Sequence, residues 1–361
     1  MKLFRSILLL FAVASAQAAG LEAVRISADG KSFVLAESGK PFRVWGVNYD
    51  HENGRLLEDY WDAEWDTVRA DFQEIKELGA NVVRIHLQTG KFMTAADTPN
   101  EKSLGQLRRL LALAEETGLY LDITGLGCYH KAETPPWYDA LDEAARWAVQ
   151  ARFWSAIAKV CRGSNAVFCY DLMNEPILDG KTDQGWVGGE LGGYSFVQRL
   201  TLTPGKRSAI EIAKSWVDQL TTAIRAEDRA HLITVGAIPW AMVWPTAKPL
   251  FYSPEVSGAL DFASIHVYPN KGEVPKALAA LEVYKIGKPL VIEETFPLSC
   301  SLEEMDTFLK SSKPRTDGYM SFYWGRTIAE YAAATDKKEA AALIGGWLEY
   351  FKKQSAFMKQ P

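Results

Sequence analysis

Two glutamates stand where apolar runs end: Glu175 in YDLMNEP (170–176) and Glu294 in GKPLVIEETF (287–296). A charge exposed at the edge of a core needs a partner or a task. Two carboxylates facing each other across a sugar-sized gap suit cleavage of a glycosidic bond. One keeps its proton to help the leaving oxygen depart. The other is ionised, to attack the anomeric carbon or activate water, so their environments must differ. Arg84 beside Glu294 would hold that group ionised, and a less compensated Glu175 would keep its proton. Each residue taken singly has a plainer reading. Asn-Glu-Pro starts turns and helices, Glu293-Glu294 reads as a solvated pair, and Arg84 as a structural ion-pair partner. His266, Tyr268 and Trp324 read as core residues.

The elements that must carry these residues follow from periodicity. VRISADGKSFVLAESGKPF, with Asp29-Gly30 and Gly39 as turn residues, predicts a β-hairpin. Strand-like runs then recur at 42–48, 80–87, 119–125, 166–172, 232–238, 261–268, 289–294 and 318–325. Helical runs lie between them, such as Val68, Phe72, Ile75 and Leu78 closed by Gly79, and Leu104, Leu107, Leu111 and Ala114 closed by Gly118. Ser208 and Glu211 form a capping box ahead of Ile212, Trp216, Leu220 and Ile224. The segment after 236 shows no clear helical period. Eight strands alternating with helices predict an α/β fold, a single (β/α)8 TIM barrel, in preference to an open doubly wound sheet.

In such a barrel the chemistry gathers at the carboxyl ends of the strands. Those ends offer Asn48, Tyr49, Asp50 and His51, then Arg84 and His86, then Asn174 and Glu175. Further on they offer His266 and Tyr268, Glu293 and Glu294, and Trp324. A barrel brings Glu175 and Glu294 together although they are far apart in the chain.

With these residues in place, the chain resembles retaining glycoside hydrolases of the (β/α)8 clan that contains the family 5 cellulases and mannanases. DLMNEP is similar to the clan's fourth-strand signature, and GKPLVIEETF to its seventh-strand segment. VVRIHL, SIHVYP and SFYWG resemble the second-, sixth- and eighth-strand segments, and SGKPFRVWGVNY the entry to the first strand. The resemblance spans roughly residues 24–325. It implies Glu175 as general acid/base and Glu294 as nucleophile. It implies Asn174 on the sugar 2-hydroxyl, Trp324 as the floor of the sugar site, and Arg84, His266 and Tyr268 as support for Glu294. Glu293 would point away, because neighbours alternate across a strand. No metal or organic cofactor enters this chemistry. The family's third-strand histidine is missing from LDITGLGCYH; His130 folding back, or His86, would take its place.

The stretch 177–207 holds seven glycines with Trp186 and Tyr194. A loop this long is often functional. It reads as a wall over the glycan with an aromatic for stacking, or else as an insertion packed by its own aromatics. Trp137, Trp240 and Trp244 also fall near loops.

Residues 1–18 read as a signal peptide: Lys2 and Arg5, a short apolar run, then Ala16-Gln17-Ala18. The catalytic barrel would occupy 19–361, and the protein would be secreted or periplasmic. Cys161 and Cys169 flank a turn and are the favoured pair among the three pairings that four cysteines allow, with four reduced thiols as the alternative. No C-x-x-C or H-x-x-x-H spacing suggests zinc. The 361 residues carry a formal charge of −5 with no basic run, which argues against nucleic acid as a partner. An oligo- or polysaccharide is the expected partner. The alternatives from these residues are a non-hydrolytic carbohydrate-binding barrel and a transglycosylase.

Overall fold

A computed structural model describes residues 20–49 and 55–361. The expected signal peptide, and Asp50 and His51, lie outside the described residues. Eight parallel strands alternate with helices. They are β1 (Val44–Tyr49), β2 (Val82–Gln88), β3 (Tyr120–Gly127), β4 (Val167–Asp171), β5 (Leu232–Thr234 and Gly236–Ala237), β6 (Ala263–His266), β7 (Leu290–Thr295) and β8 (Gly318–Trp324). Each pairs with the next, and β8 pairs with β1. The two ends of this sheet are the two pieces of β5, separated by Val235 alone, so one strand closes the ring. This is the expected (β/α)8 barrel and not an open sheet.

Alternation along the strands sorts the core. Trp45, Val47, Val83, Ile85, Leu121 and Ile123 pack outward under the helices. Val44, Val82, Tyr120, Phe168, Phe262 and Met320 point inward and fill the amino end of the barrel. The N-terminal hairpin gains a third short strand and forms an antiparallel sheet of Val24–Ile26, Phe33–Leu35 and Pro41–Phe42. It plugs that end with Phe33, whose ring meets Phe168 and Phe262 edge-on at 5.2 Å each. Burying such a ring stabilises by about 1.5–3 kcal/mol. The apolar plug leaves the other end of the barrel to polar groups.

The helices include Trp65–Glu77, Glu101–Thr117, Glu143–Cys161 and Ala209–Glu227, the last starting from the Ser208–Glu211 capping box. After β5 the chain forms only the short turns Trp240–Met242 and Ser257–Ala259 before β6. The weak periodicity there is matched by the absence of an α-helix. All four cysteines are free thiols. The expected Cys161–Cys169 bridge is corrected: Cys161 packs in the layer between helices and sheet, while Cys169 lies inside the barrel. The strand wall separates them, although they are neighbours in sequence.

Candidate active site

Above the apolar plug, the next inward positions are Arg84, Asp122, Asp171, His266 and Glu293, all buried. Strand alternation puts them there: Arg84 follows Val82 by two, Asp122 follows Tyr120, and Glu293 follows Val291. Arg84 is the hub. Its guanidinium donates to Asp171 Oδ2 at 2.8 Å, Asn174 Oδ1 at 2.9 Å, Asn48 Oδ1 at 2.9 Å and Glu294 Oε1 at 2.6 Å. Burial works against the cation, but Glu293, Asp171 and Glu294 outweigh it and raise the Arg84 pKa well above the usual value. An unpaired charge at this depth would cost several kcal/mol; the fork of hydrogen bonds removes that penalty.

Glu293 corrects the expectation that it points away. Ordinary alternation turns it inward, and an irregularity in β7 turns Glu294 inward as well. The pairing of β6 with β7 runs from Ile265↔Ile292 directly to His266↔Glu294, skipping Glu293. The pairing of β7 with β8 is also irregular between Ile292 and Thr295. A bulge of this kind redirects a side chain at a strand end. Two adjacent carboxylates thus share the interior at different depths. Glu293 is fully buried, and the Glu294 side chain remains 9% exposed.

Glu175 stands just past β4, its side chain 18% exposed. It has the left-handed backbone conformation (φ 47°), which is rare for a residue with a side chain. Its N–H donates to Gly236 O at 2.8 Å, which ties the bend to β5. His266 Nδ1 lies 2.8 Å from Glu175 Oε1 and 3.4 Å from Glu294 Oε2. One oxygen of Glu175, one of Glu294 and a ring nitrogen of His266 all fall within 4.8 Å of one another. Tyr268 donates its hydroxyl to Glu294 Oε2 at 2.6 Å, and burial, reinforced by the Glu294 charge, raises the phenol pKa. Glu294 therefore accepts from Arg84 on one oxygen and from Tyr268 on the other. Asn174 accepts from Arg84, donates one amide N–H to Phe196 O at 2.9 Å, and lines the hollow.

The hollow over Glu294 is lined by Asn48, His86, Tyr129, Asn174, Tyr194, Phe196 and Phe322. Of the two histidines considered for the vacant third-strand role, His86 lines it, hydrogen-bonded to Tyr129 and to Asn48. Burial, aided by the Arg84 charge, lowers the His86 pKa well below the usual value and keeps the ring neutral. His130 instead pairs with Glu133 at 3.0 Å and lines a neighbouring hollow with Gln88 and Lys91.

Two aromatic expectations are corrected. Trp324 does not floor the hollow. It is buried, lies parallel to Tyr49 at 5.9 Å, and lines a separate cleft with Arg55 and Tyr60. Phe322, two residues earlier, faces the hollow and meets Tyr268 edge-on at 6.1 Å. Trp186 is buried in the insertion under the Arg146 guanidinium, its indole N–H donating to Asp139 O at 3.2 Å. The insertion folds as a hairpin, Val187–Leu191 with Tyr194–Arg199, and Pro176–Ile177 joins its edge. Arg199 clamps its base to Asp179 through two bonds of 2.9 Å. Tyr194 and Phe196, on one face of the second strand, supply the aromatic wall. Both readings of the insertion hold in part: Trp186 packs it internally, and Tyr194 and Phe196 wall the site. Trp137 is half-buried against Tyr138, and Trp240 and Trp244 are exposed and do not line this hollow; Trp240 lines another cleft with Pro176 and Ile177.

Asp122 and Asp171 escaped the sequence reading, although each sits alone inside an apolar strand (LYLDITG, FCYDL). A lone carboxylate within a buried run is the available signal. Tyr129, Phe196 and Phe322 carry no such signal, because only loop paths and a register shift bring them in.

A model of the cellulase family (glycosyl hydrolase family 5) matches residues 35–279. The mannan endo-1,4-β-mannosidase A of Podospora anserina is 24% identical over 287 residues, covering 72% of this chain and 62% of that protein. The chain thus spans under two thirds of that relative's length. An exo-β-1,4-mannosidase from Opitutaceae bacterium strain TAV5 superposes with a TM-score of 0.66 at 17% identity, covering 93% of this chain and 62% of that one. A Thermomonospora fusca β-mannanase bound to mannotriose gives 0.56 at 17% identity and 84% coverage of both chains. The catalytic domain of a Thermobifida fusca endoglucanase bound to cellotetraose gives 0.54 at 14% identity, covering 84% of this chain and 85% of that one. At these identities the superpositions establish a shared fold.

Proposed function

The chain belongs to glycosyl hydrolase family 5, and from that premise we propose that it is an exported, retaining hydrolase of β-linked glycans, of mannan type. The observation that carries the reading is the approach of Glu175 and Glu294, with one oxygen of each inside 4.8 Å and both side chains reaching solvent. Carboxyl groups about 5–5.5 Å apart suit double displacement, and wider pairs leave room for water and invert.

In the first step a Glu294 oxygen bonds to the anomeric carbon as the glycosidic bond breaks, and the leaving oxygen takes the Glu175 proton. In the second, Glu175 takes a proton from water, the hydroxide bonds to the same carbon, and the bond to Glu294 breaks. Two inversions give net retention and consume one water. Arg84 and Tyr268 hold Glu294 in line for attack, Asn174 offers its other amide N–H to the sugar, and Tyr194, Phe196 and Phe322 present ring faces to sugar C–H groups. Binding without hydrolysis would not need two accessible carboxylates this close.

The mannan preference is supported by the similarity to the Podospora anserina mannosidase, the Opitutaceae exo-β-1,4-mannosidase and the Thermomonospora fusca β-mannanase. The cellulase family model and the endoglucanase neighbour favour β-glucan as the second reading. Export rests on residues 1–18 and predicts a mature chain beginning at residue 19, read by mass spectrometry of secreted protein; an unprocessed chain would overturn it.

The deciding experiment offers mannans, glucans, xylans and aryl β-glycosides and follows the first-formed anomer by proton NMR. A β-anomer from mannan is expected. Release from glucan alone would shift the substrate, and an α-anomer or no release from any β-glycan would sink the proposal. Transfer products outweighing hydrolysis would favour a transglycosylase.

Tyr268→Phe should lower kcat about ten- to a hundredfold with little change in KM. It removes one hydrogen bond to a charged group, worth about 1.5–3 kcal/mol. An unchanged kcat would remove Tyr268 from the mechanism.

A further inference from the structure

Beneath the reacting pair lies a group that the double displacement does not use. Glu293 Oε2 stands 3.4 Å from His266 Nε2, and His266 Nδ1 stands 2.8 Å from Glu175 Oε1. The imidazole thus bridges a fully buried carboxylate and the proposed acid/base. On the far side of Glu293, neither oxygen of Asp122 and not Glu293 Oε1 meets a donor among the described residues. Burial and the Glu293 charge push the Asp122 pKa well up, and a neutral Asp122 would have a proton to offer Glu293. The space is fitted to this arrangement: a Cβ at Gly236 would come 2.4 Å from Glu293 Oε2, 2.8 Å from His266 Nε2 and 3.0 Å from an Arg84 nitrogen.

We propose that Glu293 is a positioning residue that holds His266 as an imidazolium donating to both Glu293 and Glu175, with Asp122 carrying the proton it shares with Glu293. This rests on the acid/base reading of Glu175. When Glu175 gives up its proton it becomes an anion, and a cation fixed 2.8 Å away stabilises that charge. A carboxylate behind the ring sets which nitrogens carry protons.

The charges facing His266 agree. From β2 come the Arg84 cation and neutral His86, from β3 Asp122, from β4 Asp171 and Glu175, and from β7 Glu293 and Glu294. Burial acts against the charged ring, but the Glu294 charge and the bonds to Glu175 and Glu293 outweigh it and raise the His266 pKa to about 10. Burial and the neighbouring Glu293 charge push Asp122 far up. Burial also acts to raise Glu293, but Arg84, His266 and Asp122 together hold it down to about 2. The lack of a donor on either Asp122 oxygen agrees with a neutral acid at that position.

The first test needs no variant of this cluster. Imidazole 15N shifts of the intact protein, with the five histidines assigned by single substitution, report ring protonation directly. His266 doubly protonated at pH 8 is expected, and a neutral ring there overturns the proposal whatever the substrate proves to be. The second test uses variants. Glu293→Gln should lower kcat by more than tenfold on a glycan, within the ~10²–10⁴ that general acid catalysis supplies. Its loss should be smaller on an aryl glycoside with a good leaving group, which needs less acid. The 15N titration profile of His266 should move to lower pH by about one to three units in this variant, because the ring loses a counter-charge. Asp122→Asn reproduces the protonated acid and should leave kcat within a fewfold of the parent. A Glu293→Gln profile that superimposes on the parent's, or an Asp122→Asn loss as large as that of Glu293→Gln, would overturn it.

Discussion

Glu294→Gly should abolish turnover of the glycan, with kcat down on the order of 10⁴–10⁶-fold, the scale at which loss of a nucleophile is felt. The variant should stay folded. Arg84 still bonds Asp171, Asn174 and Asn48, and the apolar plug at the other end of the barrel is untouched. Its circular dichroism spectrum and melting temperature check this. Added azide should restore turnover of an aryl β-glycoside, because the space left by the carboxylate admits a small anion on the face Glu294 attacks. The product should be the α-glycosyl azide, since only one inversion has occurred. Parent-level activity, or a β-azide product, would take Glu294 out of the nucleophile's role.

Glu175→Ala should separate the two halves of the reaction. On a glycan, whose leaving oxygen needs a proton, kcat/KM should fall by about 10²–10⁴-fold. On a dinitrophenyl glycoside the first half should proceed nearly unimpaired, since that leaving group departs without a proton. The second half lacks its base, so a glycosyl-enzyme should accumulate, visible as a burst of phenol and as an added sugar mass on the peptide containing Glu294. Azide should here yield the β-azide, because it intercepts the intermediate and completes the second inversion. Equal losses on both substrates, with no burst, would mean that Glu175 is not the proton donor. The opposite azide stereochemistries of the two variants make each a control for the other.

His266 ties both outcomes to the buried layer. Its Nδ1 lies within reach of Glu175 and of Glu294, so removing either carboxylate also removes an acceptor from the imidazolium. The Glu175 variant should therefore retain a histidine held by Glu293, which keeps the remaining site in register for the burst experiment.

The chain's own order of residues determined the barrel and its strand sequence, and it singled out the two glutamates that the fold brings together. Strand alternation repeats every two residues and helix amphipathicity every 3.6, and a carboxylate at the end of an apolar run stands out against either. The same order left Trp324, Trp186 and Glu293 misread. Whether a side chain at a strand end faces the hollow depends on ladder register, and register depends on the neighbouring strand: the irregularities of β7 against β6 and of β8 against β1 turn Glu294 and Phe322 inward and leave Trp324 against Tyr49. The depth of Glu293 and the placing of His86 rather than His130 at the hollow were likewise decided by tertiary structure. Each depends on what several strands bring within hydrogen-bond reach, and no local pattern along the chain encodes that distance.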